Sequence, residues 1–314
     1  MMIWAAFAVI YLVWGSTYLA VTIALRSIPP FLLMGTRSVA GGLVLYACAR
    51  LSGGLAPSAR TWLYATGCGI LFFVGCHGVL AYAQERVPSG MAAVLLATIP
   101  FWIVLLKLVL PGDDRPHAGV LALLIPGIAG VGLIAWQQMS SVGEGPSALD
   151  IALLIGAAAS WALGTVLSER LQATSPVALS GMELVAGGLA LIAIGFVAGE
   201  PDALVLADLT PASMLAWAYL TLAGTIVAFA AYVWLLRQVS PPLVATYTFV
   251  NPIIAVLLGW AVLGERPTVS MIVGVALVVA SIAGLLWFSG QKAAAKHTEG
   301  SSGRWIAHGR STRP

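Results

Sequence analysis

The sequence predicts an all-α polytopic membrane protein of ten transmembrane helices, arranged as two inverted five-helix repeats. Three observations predict it: too few charges for a water-facing surface, ten apolar runs of spanning length, and a similarity between the two halves of the chain.

Of 314 residues, 60% are hydrophobic and 9% are charged, whereas an ordinary soluble domain carries roughly 25% charged residues. That excludes a soluble globule of this size, and lipid is the expected solvent for most of the chain. About 20 mostly apolar residues cross a ~30 Å hydrocarbon core as a helix. Runs bounded by polar or Pro/Gly breaks lie near 3–23, 31–51, 61–82, 89–109, 118–137, 149–168, 177–197, 213–235, 240–262 and 270–288. The first lacks a basic segment before it and many like it follow, so it is expected to be retained as a span and not cleaved as a signal peptide. Short separations make runs three, four and five antiparallel neighbours. Cys48, Cys68 and Cys76 lie inside apolar runs and read as packing residues, not disulfides or ligands.

Orientation follows from the basic residues, which cytoplasmic loops retain in excess. With the N-terminus inside, Arg50, Arg60, Lys107, Arg115, Arg170, Arg237, Lys292, Lys296, Arg304, Arg310 and Arg313 are cytoplasmic, and only Arg26, Arg86 and Arg266 lie outside. Both termini are then cytoplasmic in the inner membrane. Residues 289–314 turn polar and basic and are expected to form a disordered tail.

Residues 37–47 align without gaps to 183–193, with seven of the eleven positions identical, Gly41–Gly42 falling on Gly187–Gly188. Residues 87–136 align likewise to 239–288, matching Pro100 with Pro252, Gly112 with Gly264 and Asp113 with Glu265. Trp14 corresponds to Trp161. Helices one to five thus map onto six to ten, dividing the chain into repeats at 1–141 and 142–288. Because five is odd, the repeats cross the bilayer in opposite senses, an arrangement that places a substrate site near the midplane where they meet. A duplicated membrane scaffold is the plainer alternative.

The motifs carry a family resemblance. Trp14-Gly15-Ser16-Thr17-Tyr18, Pro29-Pro30 followed by Arg37, and Val87-Pro88-Ser89-Gly90-Met91-Ala92-Ala93 stand in the first half. Ser160-Trp161-Ala162, Gly181-Met182-Glu183, Tyr247 with Val250-Asn251-Pro252, and Leu263-Gly264-Glu265-Arg266-Pro267 stand in the second. From about Trp4 to Phe288 the chain resembles the EamA family of the drug/metabolite transporter superfamily, and within it the YedA-type metabolite exporters. The first half departs from the pattern at 111–116, where Pro-Gly-Asp-Asp-Arg-Pro replaces Leu-Gly-Glu-Arg-Pro, with Lys107 before it. The resemblance implies a secondary transporter of small metabolites or drugs working by alternating access, and export is its implied direction.

Candidate functional residues are the polar exceptions in apolar runs. A charge at a helix centre costs ~2.5–3.5 kcal/mol on insertion scales and usually faces a bundle interior or water-filled cavity. Arg37 is expected to hold a substrate anion or an outer gate, and Glu183 a cation, a proton or an inner gate; each has the alternative of fixing helix packing. His77 titrates near neutral pH when unperturbed and is a coupling candidate, though packing explains it as simply. Pro100 and Pro252, midway along their runs, are candidate hinges, since a helical proline removes a backbone bond. Trp14, Tyr18, Tyr82, Trp161, Tyr232 and Tyr247 are candidate pocket walls, and Asn251 a polar substrate contact. Trp4, Trp62, Trp136, Trp260 and Trp287 suit the lipid interface, and the glycine pairs suit close helix approach.

An intramembrane enzyme would need a nucleophile with its base, a metal cluster or paired carboxylates; no Gly-x-Ser-x-Gly, His-Glu-x-x-His or paired intramembrane Asp is present. No nucleotide-binding loop stands in the sequence to drive transport, and a scaffold or sensor is the remaining alternative. No cofactor or metal is expected. The expected partners are a small-molecule substrate and the lipid bilayer, not nucleic acid, with homo-oligomer formation left open.

Overall fold

Proline and small polar residues set the helix ends. A proline at the first helical position gives up only an N–H that would be unpaired anyway, and Pro30 and Pro176 open α2 (Pro30–Leu51) and α7 (Pro176–Val197) in this way. Ser58 caps α3 (Ala59–Gln84) by accepting from Thr61 N at 3.1 Å. Ser147 and Asp150 cap α6 (Ala148–Ser168) reciprocally: Ser147 Oγ accepts from Asp150 N, and Asp150 Oδ2 accepts from Ser147 N. Gly199 and Gly264 stop α7 and α9 in the left-handed region, at φ 76° and 71°, which glycine adopts without Cβ strain.

The structure, a computed structural model, describes residues 1–53, 56–110, 118–140, 146–168, 175–235, 238–239, 244, 246–284 and 287. The other helices are α1 (Met2–Ala24), α4 (Ser89–Leu96 and Ile99–Val109), α5 (Ala118–Ser140), α8 (Pro211–Tyr219, Leu220–Val227 and Ala228–Leu235), α9 (Tyr247–Leu258 and Gly259–Leu263) and α10 (Val269–Gly284). Among the described residues there is no strand. Seven helices, α1–α4 and α6–α8, are long and apolar enough to cross a membrane, and α5, α9 and α10 hold shorter apolar stretches. The positions expected from the sequence agree within a few residues, except that the ninth run, expected from 240, is a regular helix from Tyr247, with 240–243 outside the described residues. The basic tail 289–314, the Pro-Gly-Asp-Asp-Arg-Pro segment 111–116, His117, Arg170 and Arg237 lie outside the described residues.

The buried core follows one helix pair and one group of three helices. Leu33, Met34, Leu184 and Leu191 are enclosed where α2 meets α7, and Met91, Leu95, Leu154 and Ile282 where α4, α6 and α10 converge. Large apolar side chains such as Leu63, Ile125, Phe196, Leu215 and Leu257 face outward, as a lipid solvent permits. Trp4, Trp136, Trp260 and Trp287 are exposed as expected of interfacial residues; Trp62 is instead half-buried against Tyr46.

α2 and α7 make the most extensive helix contact. A Cβ on Gly35 would meet the Gly188 carbonyl oxygen and Ile192, and one on Gly42 would meet Gly181 and Leu184. Numbers rise along one helix as they fall along the other, so the pair is antiparallel, crossing near residues 40–41 and 186–187. α5 and α10 repeat the pattern: Gly130 lies against Gly274 and Leu277, and Ser281 Oγ donates to the Leu123 carbonyl. The halves also exchange their first helices, α1 packing on α8 and α9 while α6 packs on α3 and α4.

Candidate functional site

Arg37 and Glu183 stand at matching register, three to four residues from the α2–α7 crossing, which is ~5 Å along the axis at 1.5 Å per residue. They lie on opposite sides of it. Both are buried, at 7% and 4% exposure. Glu183 accepts a 2.7 Å hydrogen bond from Ser168 Oγ at the end of α6. Arg37 reaches no carboxylate among the described residues. Its Nη2 lies 3.4 Å from His77 Nδ1, and its Nε is buried without a partner. Since the guanidinium donates, Nδ1 accepts and the ring proton sits on Nε2.

A central cavity of about 60 Å³ opens beside this pair, lined by Thr17, Tyr18, Val21, Met34, Arg37, His77, Leu80 and Leu96. It brings together three residues singled out in the sequence, Tyr18, Arg37 and His77. Trp161 backs it, its ring 5.0 Å from that of His77 and 4.8 Å from that of Phe72.

His77 belongs to a π-helical segment of α3, Ile70–Gly78, and α8 widens likewise at Leu220–Val227. Such segments disturb the i→i−4 ladder and recur at functional sites. In each, a carbonyl is claimed by the first helix of the other half: Ser160 Oγ donates to Leu71 O at 2.8 Å, and Trp14 Nε1 to Gly224 O at 3.0 Å. Trp14 also packs against Tyr232 and Tyr247, with centroids 5.4 and 4.7 Å away. These three predicted wall residues form one cluster, apart from the lining of the central cavity. Asn251, one turn beyond Tyr247, is buried with its Oδ1 unpartnered.

Tyr82 lies elsewhere, at the end of the bundle where α1 passes into α2. It is 40% exposed, stacks on Phe31 at 6.1 Å and carries the Arg86 guanidinium 4.5 Å above its ring. It borders a larger cavity of about 490 Å³ with Arg26, Glu85, Glu200 and Asp208. The proline expectation also changes in detail. α4 breaks at Ala97–Thr98, so Pro100 opens the second segment and does not kink a continuous helix, whereas the Tyr247–Leu258 segment runs through Pro252 unbroken.

Sequence reasoning missed the polar clasps at this end. Glu200 accepts from Phe31 N at 3.0 Å and Leu32 N at 2.7 Å, capping α2; Glu265 accepts from Ser89 N at 2.7 Å and Gly90 N at 3.3 Å, capping α4. Each follows the left-handed glycine that ends a helix of the second half and holds the start of one in the first. The signal was a Gly-Glu pair closing an apolar run, at 199–200 and 264–265. Arg86 binds Asp150 through Nε and Nη2, both at 2.9 Å, which raises the guanidinium pKa, while burial pushes the neighbouring Glu85 carboxyl up.

The family model for EamA-like transporters matches residues 1–136 and 149–287. This chain belongs to the EamA-like transporter family. It is similar to the uncharacterised inner membrane transporter YedA of Escherichia coli K12, at 35% identity over 280 residues, covering 88% of this chain and 87% of YedA. It is also similar to the uncharacterised transporter YoaV of Bacillus subtilis, at 23% identity with 86% and 92% covered, and to protein PecM of Dickeya dadantii, at 26% with 86% and 87% covered. A protein of known crystal structure shares the fold at a TM-score of 0.61 and 21% identity, over 90% of this chain and 96% of that one. The EamA assignment accounts for the apolar helices and makes the chain a membrane protein of a transporter family.

Proposed function

We propose that this EamA-family chain is a secondary carrier of small metabolites, not driven by ATP, that works by alternating access as an exporter. In this reading all ten helices span the bilayer, residues 1–141 and 142–288 are inverted repeats, and both termini are cytoplasmic. The observation that carries it is the antiparallel α2–α7 crossing, in which residues of matching register meet around one centre with a polar cavity beside it. Two halves related in this way can pack about that centre in two near-equivalent arrangements, each open to one compartment. Tyr18, Arg37 and His77 contact substrate in the cavity, with Trp161 behind them; Trp14, Tyr232, Tyr247 and Asn251 form the corresponding wall in the second half. Glu183 gates the opposite end, and the break before Pro100 and the Pro252 turn flex as the halves move. Tyr82 guards the outer approach. The names of YedA and YoaV, both called transporters, support the transport part of this reading.

The test is purified protein in liposomes, assayed for counterflow of a metabolite panel with and without a pH gradient. Exchange of at least one solute, insensitive to ATP, is expected. If no solute moves under any gradient while a lipid or peptide is chemically altered, an intramembrane enzyme replaces the carrier.

A further inference from the structure

Resting on the carrier reading, we infer that the central cavity binds a single monovalent carboxylate, so that the substrates are small organic acids with an apolar body and no compensating ammonium group.

The charge balance leads there. Arg37 is 93% removed from solvent and, among the described residues, has one long hydrogen bond, to His77. Asp150 pairs with Arg86, Glu183 is bonded by Ser168, and Glu200 and Glu265 are occupied by backbone N–H groups. Glu85 pairs with Arg86, and none of the described carboxylates, Asp202 and Asp208 included, forms an ion pair with Arg37. A buried cation without a partner is unfavourable in a protein interior and more so in a bilayer, so its natural complement is mobile. The unpartnered Nε, beside Nη2, offers the planar donor edge that a carboxylate meets with two parallel hydrogen bonds. Tyr18 brings a phenolic O–H to the same cavity.

The lining also sets what is refused. His77 accepts from Arg37 and is neutral in that arrangement, so one positive charge faces the ligand. A phosphate dianion would keep an unbalanced charge there. An amino acid would bring an ammonium to a lining that contains no acid. Val21, Met34, Leu80 and Leu96 make the remaining wall, suited to hydrocarbon. At about 60 Å³ the cavity accommodates the head group, and the body of the acid requires these apolar walls to separate.

The experiment compares four compounds with nearly the same branched hydrocarbon body, namely isocaproate, leucine, isocaproamide and isoamyl phosphate, by the concentration-dependent rise in melting midpoint of the purified full chain. Isocaproate alone should raise the midpoint. Arg37→Gln should abolish that rise while melting, without ligand, no lower than the native protein. Arg37→Lys should weaken binding about tenfold or more, because a point charge does not replace a planar fork. Leucine, the amide or the phosphate stabilising as well as isocaproate would overturn the proposal, as would an Arg37→Gln protein that is less stable yet still responds. Should Arg37→Gln fail to fold, Arg37 is a packing residue unless the head-group series on the native chain still singles out isocaproate. Counterflow of neutral or cationic solutes, with no response to carboxylates, overturns this inference and leaves the carrier standing; absence of all counterflow tells against the carrier itself.

Discussion

Adding one methyl group at the α2–α7 crossing measures how closely the two halves approach. In Gly42→Ala the new Cβ would lie 2.7 Å from Leu184 Cβ and 2.9 Å from both the Gly181 carbonyl oxygen and Val185 N, where ordinary contact begins near 3.4 Å. Two of these three neighbours are backbone atoms, which no rotamer change can remove. The helices must therefore part by about 0.5–0.7 Å along much of their contact. Overpacking of this kind costs about 1–3 kcal/mol, offset in part by the ~1 kcal/mol that alanine gains over glycine within a helix. The expected net loss is about 0–2 kcal/mol, and about 1–3 kcal/mol relative to an alanine placed where nothing is crowded. Gly188→Ala meets the Gly35 carbonyl oxygen and Val39 N at 2.9 Å and should cost the same. The double variant should lose less than the sum, since parting the helices once relieves both clashes. Gly156→Ala on α6 has nothing within 4 Å and should be neutral or slightly stabilising. A thiol-reactive dye reports melting through the buried Cys68 and Cys76 once the exposed Cys48 is replaced by serine. If Gly42→Ala and Gly188→Ala melt no lower than Gly156→Ala, the helices do not meet as described and the argument for a central crossing fails.

Glu200→Gln should lower stability by about 1–2 kcal/mol in the same melt, because a charged acceptor for two backbone donors of α2 becomes a neutral one; an unchanged midpoint would show the clasp to be dispensable. Ser160→Ala should cost about 1 kcal/mol by removing the hydroxyl bond to the Leu71 carbonyl in the π segment, and is refuted by native-like melting. Arg86→Gln should cost about 1 kcal/mol or somewhat more: Arg86 is 42% exposed, but it leaves Asp150, whose side chain is 4% exposed, with only its Ser147 bonds. For orientation, cysteines at Ser27 and Asp202 in a cysteine-free chain should react with an impermeant maleimide added to intact cells, and one at Arg60 only after permeabilisation. The reverse pattern would invert the topology.

Much of the helix order was legible because lipid imposes it: an apolar run of some 20 residues has few other fates. Hydrophobicity does not report what a polar residue touches. Arg37 and Glu183 stood out as charges in apolar runs, yet their partners, His77 and Ser168, lie 40 and 15 residues away. Trp14, Tyr232 and Tyr247 were read as wall residues, but only the exchange of first helices between halves puts them in contact. Glu200 and Glu265 escaped because they sit just beyond apolar runs, where a carboxylate ordinarily meets water. Pro100 stands midway along its apolar run and reads as a hinge within one helix; the first segment ends at Leu96, and the turn at Ala97 and Thr98 leaves the proline in a first-turn position that needs no N–H.

Among the described residues, the Glu200 clasp on α2 has no acidic counterpart at the start of α7. Glu200 holds the start of α2 through two backbone N–H groups, whereas α7 begins on Ser175, whose side chain makes no capping bond. On the proposed carrier reading, the two halves therefore differ by an anchor at the start of α2 that the start of α7 lacks. In a carrier that exchanges two shapes, such an anchor makes the shape closed at the anchored mouth the resting one. It leaves the direction of net flow to the solute gradients, but it weakens capture from that side in proportion to how seldom the mouth stands open. The same solute would then show unequal half-saturation concentrations on the two faces of the membrane, and neutralising Glu200 would draw them together.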